Sequence, residues 1–409
     1  MTTTSHVIDA HRLGELIQTE LPTAIEIRHA LHRQPELGYA EHRTAERIAA
    51  RLTELGIEHK TGLARGTGVL AHIPATIEPE RAPTVALRAD IDALPIAEQT
   101  GLPYASESPG LMHACGHDGH TANLLAVAAV LAELDFRPNN VTLLFQPAEE
   151  GGAGADAMIA DGALNGTALG PPVDCIFGLH GWPDLPLGHV ATRPGPLLAS
   201  TDEFTVTIRG KGGHAAFPHN THDPVVVAAH VVTALQSIAS RRTRPTDSIV
   251  VTVGAIHAGS APNVIPSEAV MKGTMRTLDA ETRAMGEADF RRIVTGVAEA
   301  MHATAEIDWH TGYPVTHNDP AAAAHVRAIA VEALGDERVV DLPEPFMGGE
   351  DFSFYSQHVP AAFFIVGLKP PHADAYPLLH TPGFDFNDDA FAVGIELFVR
   401  LALATPPTR

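Results

Sequence analysis

Four stretches in the first half of the chain share one layout: an apolar run or tight loop delivers a metal-binding or acidic side chain immediately past its end. PTVALR (83–88) runs into Ala89, Asp90, Ile91 and Asp92. The glycine-broken loop MHACGHDGH (112–120) carries Cys115 and His117. NVTLLF (140–145) ends in Gln-Pro-Ala-Glu149-Glu150, and VDCIFGL (173–179) ends in His180. Unbroken apolar runs of this length suit strands buried on both faces of a parallel sheet. In such open α/β sheets the working crevice lies at the carboxyl ends of the strands, so these groups are expected to converge on one place.

The remaining pattern fits an α/β protein of two domains. From Asp9 to Gly56 the chain reads as helical, with Leu13, Leu16, Ile17 and Leu21 on one stripe and a second helix after Gln34-Pro35. Its histidines and arginines are expected on a solvated face. Gly68 to Ile73 reads as a short strand, and HTANLLAVAAVLAEL as a buried helix starting near Thr121. Beyond Arg193-Pro-Gly-Pro, period-two strands alternate with helices in the order β-α-β-β-α-β, a ferredoxin-like unit of roughly 115 residues. This places a larger α/β domain in two parts, 1–195 and 313–409, around an inserted α+β unit at 196–312. The resumed part carries a helix around AAAAHVRAIAVEALG, a strand AAFFIVGL and a last helix from Asp388 to Ala404.

A length of 409 residues agrees with two cores. The formal charge of −22, from 27 basic and 49 acidic residues, argues against nucleic acid or an anionic membrane as partner. An anionic small substrate therefore needs a local positive island, from metal ions or a buried arginine. Cys115 and Cys175 are the only cysteines, too few for a disulfide framework. No secretory leader pattern and no apolar run of about 18 residues is visible, so a cytoplasmic protein is expected.

Candidate metal ligands are Cys115, His117, Glu150, His180 and, from LLHTPGFDF, His380. Among 24 histidines a lone one is ordinarily structural, and His6, His11, His230 and His325 are placed in that class. The five candidates differ because each follows an apolar strand or sits in a Gly/Pro-rich loop. Glu149 and Glu150 would repel in a crevice unless a cation takes one of them, which leaves the other free to act as a general base. The plain reading of the pair is a solvated acidic turn. Asp90 and Asp92 can orient a ligand histidine through its second ring nitrogen, or simply cap a strand end. His113, Asp118 and His120 are expected in supporting or helix-capping roles. In the inserted unit, His214 of GKGGHAAFPHNTHDP is either an idle turn residue or a mobile donor to a reacting carbonyl oxygen. Asn263 and Arg276 are candidates for a substrate carboxylate, Arg276 being equally suited to a structural ion pair.

Taken together, LHRQPELGYAEHRTA, LRADIDALPI, MHACGHDGHTA, LLFQPAEEGGAGA, GLHGWPDLPLG, GKGGHAAFPHNTHDP, APNVIPSEA, GTMRT, MGGEDFSFY and LLHTPGFDFND closely resemble the M20 metallopeptidase family. The resemblance is to its amidohydrolase branch of hippurate hydrolases, N-acyl-amino-acid amidohydrolases and auxin-conjugate hydrolases. It implies two divalent ions per subunit (Zn, Mn, Ni or Co), with Cys115 bridging them and His117, Glu150, His180 and His380 completing the set. It further implies Glu149 as base, Asp92 as a supporting residue, and the inserted unit as lid and dimerisation domain, with His214 completing the partner subunit's site. Where other branches carry a ligand histidine in His-x-Asp, this chain has Asp90, which agrees with Cys-x-His taking over ligation. The implied reaction is hydrolysis of N-acyl-L-amino acids. Glu149 takes a proton from the attacking water and returns it to the leaving amine, and His214 stabilises the oxyanion. Arg276, Asn263 and the Gly348-Gly349 backbone hold the α-carboxylate. Rival readings are a dipeptidase or N-acetyl-diaminopimelate deacetylase of the same fold, and a catalytically silent small-carboxylate binding protein.

Overall fold

The computed structural model describes residues 9–407, so His6 lies outside the described residues. The chain divides into two units. Among the described residues, the larger takes in 9–195, His317–Pro343 and 354–407; the smaller comprises Pro196–Thr316 and Glu344–Ser353.

The larger unit is built on an eight-stranded sheet in the order Glu58–Leu63, Gly68–Ile73, Asn140–Gln146, Thr84–Asp90, Cys175–Pro186, Ala361–Lys369, Val190–Thr192, Val339–Asp341. Its four middle strands, Asn140–Gln146 through Ala361–Lys369, all run parallel. Every residue of Asn140–Gln146 and of Thr84–Asp90 is buried, which explains their unbroken apolar runs. Register pairs Asp90 with Gln146, and His180 with Ile365. Because Arg88 pairs with Gly178, Asp90 and His180 lie at the same level of the sheet.

Three sequence expectations change here. The strand expected to end before His180 runs on to Pro186, because its second neighbour, Ala361–Lys369, keeps pairing with it past that point. The helix expected from Thr121 begins at His117, after Gly116 takes a left-handed conformation with φ 89°. Glycine reaches this region without steric cost, so the chain turns sharply between Cys115 and His117. Finally, Arg28 and His32 of the Ala10–Arg33 helix, expected in solvent, are fully buried. That helix and Phe391–Leu403 both pack against the His117–Ala132 helix, which is buried along almost its whole length.

The smaller unit is a four-stranded antiparallel sheet, ordered Ile249–Ala258, Glu268–Thr277, Asp202–Arg209, Thr304–Thr311. The helices Pro224–Ser237 and Ala280–Ala300 pack on it around Phe204, Val206, Ile208, Val231, Leu235, Met271, Phe290 and Val294. Burial alternates along Asp202–Arg209, as expected of a sheet covered on one face. Residues 344–353, within the range expected for the second catalytic part, group with this unit instead. Phe346 N–H donates to Leu197 O (2.9 Å) and Ala199 N–H to Gly348 O (2.8 Å). Among the described residues, no helix is long and apolar enough to cross a membrane.

Candidate metal centre

Cys115 and His117 at the start of the His117–Ala132 helix, Glu149 and Glu150 just past the strand Asn140–Gln146, His180 within the strand Cys175–Pro186, and His380 come together. The donor atoms of Cys115, His117 and His180 lie within 4.8 Å of one another, and so do those of Cys115, Glu150 and His380. The two triads share the Cys115 sulfur. His180 Nε2 stands 3.4 Å from Cys115 Sγ, and His380 Nε2 stands 3.3 Å from the same sulfur and 3.2 Å from Glu150 Oε1. His117, Glu149 and Glu150 form a third close group. His380 reaches the cluster on a backbone held at φ 61°, with its N–H donating to Ala114 O at 2.8 Å.

Hydrogen bonding sets which ring nitrogens are available. His117 Nδ1 lies 3.0 Å from Asp92 O and 3.1 Å from Asp92 Oδ1, both acceptors, so Nδ1 carries the proton. Its Nε2 is buried without a hydrogen-bond partner. His180 Nδ1 likewise donates to Gly181 O (2.8 Å), leaving the Nε2 lone pair facing Cys115. His120 is different. Gly181 N–H donates to its Nε2 (2.9 Å) and its Nδ1 donates to Asp90 Oδ1 (2.6 Å), so both nitrogens are used within the protein. Asp90 also accepts from Arg88 Nη1 at 2.6 Å, and its Oδ2 lies 3.7 Å from His117 Nε2.

The charges in the pocket test whether these residues suit a cation. Burial alone would lower the His117 pKa, but Asp90, Asp92 and Glu150 drive it up to about 10. Burial, then Glu150, Glu149 and Asp90, push the Cys115 thiol well above its usual range. Burial and His120 keep His180 neutral, well below the ordinary imidazole value. A pocket that would protonate a buried imidazole and a thiol to offset its carboxylates is one that a cation stabilises. One thiol, three imidazoles and a carboxylate are the donors that borderline divalent ions prefer. An orphaned buried Nε2 costs roughly 1–3 kcal/mol unless something occupies it. The residues present therefore fit a bound metal.

Other candidates belong to the smaller unit. His214 pairs with Val264 in a short bridge, beside Asn263, whose carbonyl accepts from Ala215 N–H at 3.1 Å. Ala216 N–H donates to His214 Nδ1 (3.0 Å), so the exposed ring of neutral His214 carries its proton on Nε2. Arg276 is half-buried and has no ion pair among the described residues; burial lowers its pKa, against weaker opposing effects of Glu203 and Asp202. A Cβ on Gly349 would lie 3.2 Å from its Nη1 and 2.1 Å from Thr201 Cγ2, so glycine permits this close approach. Gly348 is hydrogen-bonded to Ala199 in the same strip.

Sequence reasoning missed a polar layer beside the centre. Arg28 Nε donates to Asp118 Oδ2 (3.0 Å), Nη1 to Asp388 Oδ1 (2.7 Å), and Nη2 to Asp385. His32 Nδ1 lies 2.8 Å from Asp118 Oδ2 and its Nε2 3.3 Å from Glu98 Oε1. Burial would lower the His32 pKa; Asp118 and Glu98 instead raise it to about 9. The available signal was spacing, since Ala24, Arg28 and Leu31 continue the buried stripe begun at Leu13 and Ile17.

The profile of Peptidase family M20/M25/M40 matches residues 86–404, and the chain belongs to that family. N-acetyl-L-cysteine deacetylase of Bacillus subtilis (strain 168) is 44% identical over 367 residues, 90% of this chain and 84% of the relative. Hippurate hydrolase of Campylobacter jejuni is 37% identical over 378 residues, covering 92% of this chain and 95% of its own. A solved Bacillus subtilis dinuclear metal binding peptidase from the M20 family superposes with a TM-score of 0.80 at 35% identity, over 94% of this chain and 98% of that one. The chain is thus a metal-dependent hydrolase of amide bonds, in the amidohydrolase branch of its family.

Proposed function

We propose that this protein hydrolyses N-acyl-L-amino acids, with N-acetyl or N-benzoyl groups, to a carboxylic acid and the free amino acid, using two divalent ions per subunit. The observation that carries the reading is the pair of donor triads sharing Cys115, with Glu149 alongside. Cys115, His117, Glu150, His180 and His380 would hold the ions, Zn, Mn, Ni or Co, with Cys115 common to both. When bound, the ions supply Lewis acidity toward the amide carbonyl and an acidified water.

Glu149 accepts the proton of the attacking water and delivers it to the departing amine. Asp92 holds His117 in the tautomer that presents Nε2. The smaller unit acts as the lid. His214, proton on Nε2, donates to the carbonyl oxygen as negative charge develops there, and Arg276, with Asn263 and the Gly348-Gly349 backbone, takes the α-carboxylate. The relatives' names, N-acetyl-L-cysteine deacetylase and hippurate hydrolase, both describe cleavage of an acylated amino acid. The lid also serves as the dimerisation surface of a homodimer or higher oligomer in which His214 of the partner subunit completes each site. Exposed Phe217, Val225 and Val264 support such a covered face. We place the enzyme in the cytoplasm.

Chelator-stripped protein is expected to be inactive, and addition of Zn, Mn, Ni or Co to restore release of free amino acid from N-acetyl-, N-benzoyl- or indoleacetyl-amino acids. Full activity in the stripped, metal-free protein would overturn the reading. His214→Ala is expected to lower kcat by about 10²–10³-fold with little change in KM; equal loss in both would make His214 a ground-state contact instead.

A further inference from the structure

The loop Glu36–Glu41 lies against the turn that carries Glu149 and touches it at several points. Glu41 is fully buried, and its Oε1 accepts from Ala148 N–H at 2.9 Å while its Oε2 accepts from Thr67 Oγ1 at 2.8 Å. Tyr39 OH donates to Gly152 O at 2.7 Å, on the far side of the same turn. A Cβ on Gly38 would lie 3.0 Å from Ala148 Cα and 3.6 Å from Asp92 Oδ2, so the loop backbone packs directly on both. Ala93 N–H donates to Glu36 O (2.8 Å), and Glu150 N–H to Asp92 Oδ2 (2.9 Å).

Ala148 is held at φ 53° and Tyr39 at φ 61°, left-handed conformations that side-chain-bearing residues avoid unless the surroundings impose them. The turn is pinned at Ala148, Glu150 and Gly152, and Glu149 projects from between the first two pins. Burial, with a smaller push from the Asp92 charge, raises the Glu41 carboxyl to about 7 against its hydrogen bonds with its own backbone N–H, Thr67 and Ala148, so keeping an acid here is costly. An apolar residue would fill the space without that cost, but it would leave Ala148 N–H without its acceptor.

We propose that Glu41 is a positioning residue for the reaction: by fixing the strained Ala148 peptide it aims the Glu149 carboxylate. The proposal rests on Glu149 being the base. Without the anchor, Ala148 relaxes toward negative φ and the Cα–Cβ direction of the next residue swings away.

The test compares Glu41→Ala with Glu41→Gln in the metal-loaded enzyme, reading kcat, KM, bound metal and melting temperature together. Glu41→Ala is expected to lower kcat by about 10²-fold, the penalty of roughly an ångström's misplacement, with KM within twofold and full metal content. Gln keeps an acceptor for Ala148 N–H, and should restore kcat to within a few-fold. Should Glu41→Ala fail to fold, Tyr39→Phe and Thr67→Val remove single tethers, and each is expected to lower kcat by about three- to tenfold with metal retained. Unchanged kcat in the folded variants, or activity lost only in proportion to metal content, overturns the proposal. Glu149→Gln in parallel keeps the two ideas apart: if it remains active, the base assignment fails; if it is inactive while the Glu41 variants are normal, only the positioning role fails.

Discussion

Glu149→Gln is expected to reduce turnover by about 10³-fold or more while the metal ions stay bound. Glutamine matches glutamate in size and can keep one acceptor and its place in the turn, but it cannot take a proton from water. Glu149 is only 7% exposed, so bulk water is poorly placed to supply a substitute base. The proposed ligand carboxylate is its neighbour, Glu150, whose acidity His380 and His117 enhance against the opposing effect of burial. Removing the Glu149 charge should therefore leave the donor set whole. Metal content by elemental analysis should be unchanged, and binding of a non-hydrolysable N-acyl amino acid should match the parent enzyme. A variant with more than a tenth of normal kcat would rule out Glu149 as base; one that had lost its metal would make it a ligand.

How much of this was legible before the fold was known differs residue by residue, for physical reasons. Asp90, Glu150 and His180 could be placed together because short apolar runs such as NVTLLF suit strands buried on both faces, and parallel strands present their carboxyl ends along one edge. That His180 sits inside a strand could not be read, because what extends the strand is pairing with Ala361–Lys369, far along the chain. The early helix start at His117 was hidden by the histidines, aspartate and glycine of HDGH, which favour helix weakly; the left-handed Gly116 that sets it has no signature beyond being glycine. Glu41 was invisible for another reason. Its partners, Thr67 and Ala148, come from two other segments and neither residue type advertises a bond to a carboxylate. Arg276 was left between an ion pair and a substrate contact, and the structure provides no ion-pair partner for it among the described residues.

Arg28 shows how a default can outweigh a pattern. The stripe through Leu13, Ile17, Ala24 and Leu31 puts position 28 on the buried face, yet an arginine is ordinarily solvent-facing. It is tolerated because Asp118, Asp385 and Asp388 neutralise it and the Tyr104 ring lies 5.0 Å from its guanidinium carbon. Two of these partners follow His380 by a few residues and the third adjoins His117, so one guanidinium ties together two segments that carry proposed ligands. Arg28→Met should leave Asp118, itself fully buried, with His32 as its charged partner, and removing one member of a buried pair typically costs about 3–5 kcal/mol. Against a total of roughly 5–15 kcal/mol for a folded domain, that is enough to lower the denaturation midpoint sharply and weaken metal retention. Arg28→Lys keeps the charge but cannot span three carboxylates with one ammonium, so it should fall between. The deficit should also depend on pH. His32 has a folded pKa raised above its unfolded value, so its contribution is complete below about 6.5 and is lost as pH rises through about 9. Urea denaturation of the metal-free proteins at pH 7 and pH 9.5 would measure both effects. A midpoint for Arg28→Met equal to that of the parent at both values would show that the buried cluster contributes nothing net, its desolvation cost cancelling its attraction.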